Sequence, residues 1–314
     1  MMSEFILQTV NLTKKYKGVP VLNNVNIHVP RGSIYGLIGA NGAGKSTLLR
    51  IFTGSVLPTQ GYIAINDKTE YTDIEKERKK IGSIIESPTL YTYMSARDNM
   101  IARCKLLGID NYRERSEEVL ASVGLEGVGK KKVKNFSLGM KQRLALALSL
   151  LENPEILILD EPTNGLDPMG IAQLRNLLKK MNDEGVTILI SSHILAELSK
   201  LATHYGILNG GNLIKEVVGT DIEGSERNLI EITFNDLLML SQAISLLKPL
   251  FAADGLALKD NNVIQLRLSQ TQTKDEIVDL LTNNGISYVS VAFAKGNIEE
   301  YLIKVINGGG GENA

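Results

Sequence analysis

The run Gly39-Ala40-Asn41-Gly42-Ala43-Gly44-Lys45-Ser46-Thr47 constrains this chain more than any other stretch of it. It fits the pattern G-x-x-x-x-G-K-[ST] and lies between the β-rich segment Ile34 to Ile38 and a predicted helix, the context that the pattern requires. Glycines let the backbone curl tightly around an anion with its N–H groups pointing inward, and a helix starting near Lys45 adds partial positive charge at its N-terminus. Lys45 then supplies a point charge for the β- and γ-phosphates of a nucleotide. Ser46 offers a hydroxyl to Mg²⁺, which prefers hard oxygen ligands. A strand, a tight turn and a helix in that order commit this part of the chain to an α/β fold.

A second feature pairs with the first. Ile156 to Leu159 is a short apolar run that ends in Asp160 and Glu161, and an α/β sheet places its ligands at such carboxyl ends of its strands. Asp160 is expected to hold Mg²⁺ through water, and Glu161 to polarise an attacking water. Val186 to Ile190 is another apolar run, separated from the first by the helical stretch Met169 to Asn182. Both suit interior parallel strands covered on both faces.

The length of 314 residues predicts about two domains. Residues 6–65 alternate β-rich runs (Ile6 to Val10, Val25 to Val29, Ser33 to Ile38, Tyr62 to Ile65) with turn residues, and about 87–151 turns helical, an insertion. From about Gly219 the order of strands and helices resembles a split β-α-β unit, with strands at Asn228 to Phe234, Asn262 to Leu268 and Ile286 to Ala292. The expected division is a domain over 4–218, a small α+β domain over 219–306 closing on a helix Ile298 to Ile306, and a glycine-rich flexible tail over 307–314.

Composition excludes several classes. Lys and Arg number 34 against 35 Asp and Glu, so a net charge of -1 gives no general attraction to nucleic acid, and no nucleic-acid partner is expected. The single cysteine, Cys104, rules out an intrachain disulfide and a cysteine-built metal site. The N-terminal residues do not read as a secretory signal, and the most apolar segment, Leu144 to Leu151, is far short of the roughly 18 residues of a membrane span. Any membrane role needs a partner that supplies the spans.

With these motifs in place, the segment Phe136-Ser137-Leu138-Gly139-Met140-Lys141-Gln142-Arg143 resembles the signature of the nucleotide-binding subunits of ABC transporters, although Leu138 and Met140 depart from its commonest form. The resemblance covers about residues 4 to 217. It implies a P-loop ATPase of the ABC type: a mixed sheet core, an antiparallel β subdomain and a helical insertion. It also implies a head-to-tail homodimer with two ATP molecules between the subunits, where Ser137 and Gly139 of one copy meet the γ-phosphate bound by the other. Asn164 to Pro168, with Asp167, resembles the loop that crosses the dimer seam, and Ser191-Ser192-His193 the segment whose histidine senses the γ-phosphate. Tyr16 matches the aromatic residue that stacks on adenine, with Val21 as a backstop for the base. His28 and His204 lack such a setting.

Most family members carry Gln where this chain has Glu86, in Gly82-Ser83-Ile84-Ile85-Glu86-Ser87-Pro88. In the family that residue reaches Mg²⁺ and the lytic water. An ionised carboxylate only accepts hydrogen bonds whereas an amide also donates, so Glu86 is expected either to bind Mg²⁺ directly or to repel the γ-phosphate. Glu86, followed by Pro88 and Tyr91, resembles the ATPase subunits of bacterial exporters that confer lantibiotic immunity or bacitracin resistance. The expected function is therefore an ATPase subunit driving peptide export through a separate permease, peripheral at the inner face of the membrane, with ATP and Mg²⁺ as cofactors. An ATPase of another drug or ion exporter ranks second. A soluble ABC ATPase acting on ribosomes or DNA, and a kinase, which would leave Ser137 to Gly139 and His193 unexplained, rank lower. Lys130, Lys131, Lys132 and Lys134 precede the signature and read as a solvated loop.

Overall fold

Hydrophobic side chains recurring through Phe5–Tyr16 build the first strand, β1, around which an antiparallel sheet forms with β2 (Val19–Val25), β3 (His28–Pro30) and β5 (Gln60–Ile65). The computed structural model describes residues 4–86, 90–220, 229–251, 255–259, 262–269, 272–293, 301–303 and 305. The run Val25 to Val29, expected as one strand, is instead the break between β2 and β3. Asn24 takes a left-handed conformation, and the Thr9 hydroxyl inserts into the ladder, donating to Val25 O at 2.8 Å and accepting from Ile27 N–H at 2.9 Å. A side-chain hydroxyl replaces a backbone partner, and the strand kinks there.

A second sheet of six strands has the order β10-β9-β4-β8-β7-β6. Its members are β4 (Ile34–Ile38), β6 (Ile81–Ile84), β7 (Ile156–Asp160), β8 (Thr187–Ser192), β9 (His204–Asn209) and β10 (Asn212–Val218). All neighbours are parallel except the β9–β10 hairpin, which the sequence patterning did not announce. Every residue of β4, β7 and β8 is buried, as expected of central strands covered on both faces. Helix α1 (Lys45–Phe52) inserts Leu48, Leu49, Ile51 and Phe52 into the core with Leu7, Leu12, Ile65, Ile158 and Leu189. At about 1.5–3 kcal/mol for each fully buried side chain of this kind, that packing fixes the loop that precedes the helix.

Helix α2 (Tyr71–Arg78) follows the antiparallel sheet. The insertion consists of α3 (Ala96–Leu106), started by a capping box of Ser95 and Asp98, then α4 (Tyr112–Ser122) and α5 (Leu138–Ser149). Helix α5 begins six residues ahead of the apolar segment Leu144 to Leu151, so Gly139 lies inside its first turn. Helix α6 (Pro168–Asp183) and the short α7 (Leu195–Leu198) flank β8 in sequence.

The chain divides into two compact units, one of residues 1–218 with 302–314, the other Gly219–Tyr301. The second unit has strands β11 (Leu229–Thr233), β12 (Leu256–Lys259), β13 (Val263–Arg267) and β14 (Ser290–Phe293) in the antiparallel order β12-β13-β11-β14. Helices Leu237–Leu247 and Lys274–Asn283 complete a β-α-β-β-α-β sequence. Ile230, Ile232, Ala243, Ile264, Leu266 and Leu281 form its own core. Of the expected helix Ile298 to Ile306, residues 301–303 and 305 are helical, whereas 298–300, 304 and 306, the tail 307–314, and Ser87 and Pro88 lie outside the described residues.

Candidate nucleotide site

Two glycines shape the turn between β4 and α1. A Cβ at Gly39 would lie 2.5 Å from Leu208 O, and Gly44, with φ 103°, would bring one within 2.7 Å of Leu22 Cδ2 and 2.8 Å of Val21 O. Only glycine fits such a close approach of backbone to backbone. Between them Ala40, Asn41 and Gly42 are exposed at the rim, while Ala43, Lys45 and Thr47 are buried and Ser46 is half-buried. The Lys45 ammonium is 6% exposed and satisfied: Nζ donates to Gly39 O at 2.6 Å and Ala40 O at 3.3 Å, and stands 3.2 Å from Glu161 Oε1.

The two carboxylates beside it are positioned by the parallel pairing of β7 with β8, which sets Asp160 opposite Ser191. Ser191 Oγ donates to Asp160 Oδ1 at 2.6 Å and accepts the Glu161 N–H at 3.0 Å. Asp160 stays buried in the sheet, while Glu161 leaves it through a left-handed conformation, φ 47°. A non-glycine residue there costs on the order of 1–3 kcal/mol, and such costs concentrate at functional sites. The turn aims the Glu161 side chain between two partners: Oε1 faces Lys45, and Oε2 lies 2.7 Å from His193 Nδ1. Lys45, Asp160, Glu161 and His193, expected to act together, are thus brought together, with Ser46 one residue beyond Lys45.

Ser137, Gly139 and Asp167 form a separate group. Ser137 caps α5 by accepting from Met140 N–H at 3.3 Å, and Asp167 caps α6 by accepting from Gly170 N–H at 2.9 Å. The two helix starts meet: a Cβ at Gly165 would lie 2.8 Å from Leu138 Cδ2, and one at Gly139 would lie 3.7 Å from Leu166 Cδ2. Two helix N-termini side by side present N–H groups suited to an anion. Tyr16 closes β1 with its side chain exposed, and Lys14 Nζ lies over one face of its ring, 4.9 Å from the centroid.

Glu86, expected either to bind Mg²⁺ or to repel the γ-phosphate, has a cationic side chain as its partner. Its backbone is left-handed, φ 61°, and its carboxylate forms an ion pair with Arg50 on α1. His28, without a role in the sequence reading, bonds Glu216 through Nδ1 at 2.8 Å, and Tyr35 Oη donates to the same carboxylate at 2.6 Å. Burial, then the Glu216 charge and this hydrogen bond, hold the Tyr35 phenol well above its ordinary range.

Sequence reasoning missed Ser191 and Arg50. Ser191 was visible only as a neighbour of His193, and nothing local shows that β8 pairs with β7. Arg50 sits one helical turn beyond Ser46, but its partner is 36 residues away.

Comparisons with known proteins show the family of the chain. Residues 22–164 match the family model described as ABC transporter. The chain is 37% identical over 305 residues to the bacitracin transport ATP-binding protein BcrA of Bacillus licheniformis, covering 97% of this chain and 98% of the relative. It is 47% identical over 233 residues to the lantibiotic transport ATP-binding protein SrtF of Streptococcus pyogenes, covering 74% and 98%. Among solved structures, a dimeric ATP-binding cassette in a post-hydrolysis state with ADP and phosphate matches with a TM-score of 0.61 and 28% identity over 68% of this chain and 98% of that one. On these similarities the chain belongs to the ABC transporter family, as an ATP-binding subunit that hydrolyses ATP.

Proposed function

We propose that this chain drives export of an antimicrobial peptide, of the bacitracin or lantibiotic kind, through a separate membrane permease. The observation that carries the reading is the end-to-end similarity to a bacitracin transport ATP-binding protein, second unit included. The shorter lantibiotic relative supports it at higher identity. Among the described residues no helix is long and apolar enough to cross a membrane, so the spans belong to the partner.

In the proposed cycle two copies close on ATP. Lys45 neutralises phosphate charge, Glu161 takes up a proton from the attacking water, and His193 holds the Glu161 carboxylate at the position that water needs. Ser137 and Gly139 of the opposite copy bring the α5 N-terminus to the γ-phosphate. The residues also fit Mg²⁺, which accepts one or two carboxylates with phosphates and water: the second oxygen of Asp160 and the Ser46 hydroxyl would hold it. When bound, that ion offsets charge on the phosphates. Glu86 on this reading acts through Arg50 at the edge of the site.

A cavity of about 400 Å³ lies beside the free edge of β6, lined by Ser83, Ile85, Tyr91, Asn99, Leu106 and Leu148 among others. It joins the sheet to the helical insertion, and it is where the permease would dock. The test is a pull-down of tagged Glu161→Gln chain from gently solubilised native membranes with MgATP. A multi-span protein in near-equal amount supports the reading. Ribosomal or nucleic-acid-bound material without a membrane protein would replace it with a soluble switch.

A further inference from the structure

The nucleotide chemistry leaves one sequence feature unused, the lysines ahead of the signature. In the fold they join a second exposed feature. Lys134 N–H donates to Thr92 O at 2.7 Å, Val133 N–H donates to Met94 O at 2.9 Å, and Ser95 and Lys132 form a β-bridge. The turn so held carries Tyr91, Tyr93 and Met94, exposed by 56%, 78% and 42%. Lys130, Lys131, Lys132 and Lys134 are all exposed, while Val133 between them is buried and anchors the segment. Lys134 Nζ lies 5.7 Å from the Tyr93 ring centroid, so charge and aromatic surface adjoin directly.

No ion pair is found for these four lysines among the described residues. The carboxylates of the neighbouring elements are engaged elsewhere: Asp98 in the capping box with Ser95, Glu117 with Arg97. Glu118 pairs with Arg115, and Glu114 on α4 and Glu126, four residues ahead of Lys130, are the further acids of this stretch. A local cationic patch therefore stands on a chain of net charge -1.

We propose that the turn 91–94 and the lysine segment 130–134 form one surface that rests on anionic phospholipid headgroups beside the permease. Tyrosine combines an apolar ring with a polar tip and favours the membrane–water interface, and lysines near an anionic leaflet add electrostatic attraction that adds up with their number. Lysine ammonium groups on flexible stems suit a fluid layer of headgroups, whereas a fixed acidic protein surface is better matched by the planar fork of arginine. The direction the patch faces rests on the proposed docking cavity, because Tyr91 belongs to both. Docking of a membrane protein at that cavity turns the adjoining surface toward the bilayer.

The test uses the full chain and vesicles without permease, so its result is independent of the pull-down. Vesicles of phosphatidylcholine alone are compared with vesicles in which about one third of the lipid is phosphatidylglycerol, by flotation at low salt. The wild type is expected to float with the anionic vesicles only, and to lose most binding in high salt, where the Debye length falls to about 3 Å. Replacing Lys130, Lys131, Lys132 and Lys134 by Gln should lower partitioning by on the order of a hundredfold or more, with ATP hydrolysis and melting temperature unchanged. Tyr93→Ser should lower it by about tenfold without changing the salt dependence. A wild type that does not float with anionic vesicles overturns the proposal, as does a quadruple variant that floats equally well. Loss of permease co-purification by that variant, with no flotation of the wild type, would assign the patch to an acidic protein surface instead.

Discussion

Lys45 Nζ stands 3.2 Å from Glu161 Oε1, so the cation expected on the phosphates and the carboxylate expected on water are partners in one ion pair. Phosphate arriving at the loop competes for the same ammonium, and Glu161 is then left to His193 and the attacking water. Glu161→Gln keeps the shape and removes the base. The expected outcome is ATP hydrolysis lowered by about 10²–10⁴-fold, in the range of general-base contributions, with nucleotide affinity retained and an ATP-bound dimer on size-exclusion chromatography. A variant that stays monomeric at saturating MgATP counts against the mechanism.

Ser191 holds both carboxylates by one hydroxyl, donating to Asp160 and accepting from the Glu161 backbone. Ser191→Ala leaves a buried carboxylate oxygen and an N–H without that partner. Urea unfolding should show a loss of about 1–3 kcal/mol, the cost of orphaned buried polar groups. Turnover should fall more than nucleotide affinity, because the left-handed Glu161 backbone loses its tie. Unchanged stability and turnover would remove Ser191 from the site.

The Arg50–Glu86 pair is exposed by 30% and 68% at its side chains, and a pair this open contributes at most about 1 kcal/mol to stability. Its expected effect is on coupling: Glu86→Gln should keep ATP binding and alter hydrolysis in the assembled complex. Arg50→Glu with Glu86→Arg should restore what either single change loses. Equal turnover and equal peptide tolerance of Glu86→Gln and wild type would exclude the role.

Tyr35 keeps its proton well above the usual tyrosine range because burial, and then Glu216, penalise the phenolate. In the unfolded chain it ionises near pH 10. The stability that its neutral form contributes is therefore complete below about pH 10 and is lost as pH rises through the higher folded value. An ultraviolet titration should show a late-ionising tyrosine component, and Tyr35→Phe should diminish it. Simultaneous ionisation of all tyrosines in folded protein would refute this.

Much of the site was legible because it is local in sequence. Gly39 to Thr47 spells a turn whose close approaches only glycine permits, and Ile156 to Glu161 spells a buried strand that ends in charge. Each motif carries its own steric or electrostatic requirement within a few residues. The kink at Val25–Val29 was not legible, because it depends on a Thr9 hydroxyl from another strand. The start of α5 at Leu138 lies six residues ahead of the apolar segment Leu144 to Leu151, and the start signal there is the Ser137 cap, which accepts from Met140 N–H.

The amino-acid sequence by itself determined the glycine-rich turn between strand and helix, the adjacent carboxylates Asp160 and Glu161, the segment that resembles the ABC signature and the net charge of -1. The tertiary structure alone decided who holds whom: Ser191 bridging Asp160 and Glu161, Arg50 taking Glu86, and the lysine segment adjoining Tyr93. Those relations depend on strand order and loop pairing over separations of about 30 to 40 residues. At that distance spacing rules no longer act, and only the packed sheet and its hydrogen bonds select the partner.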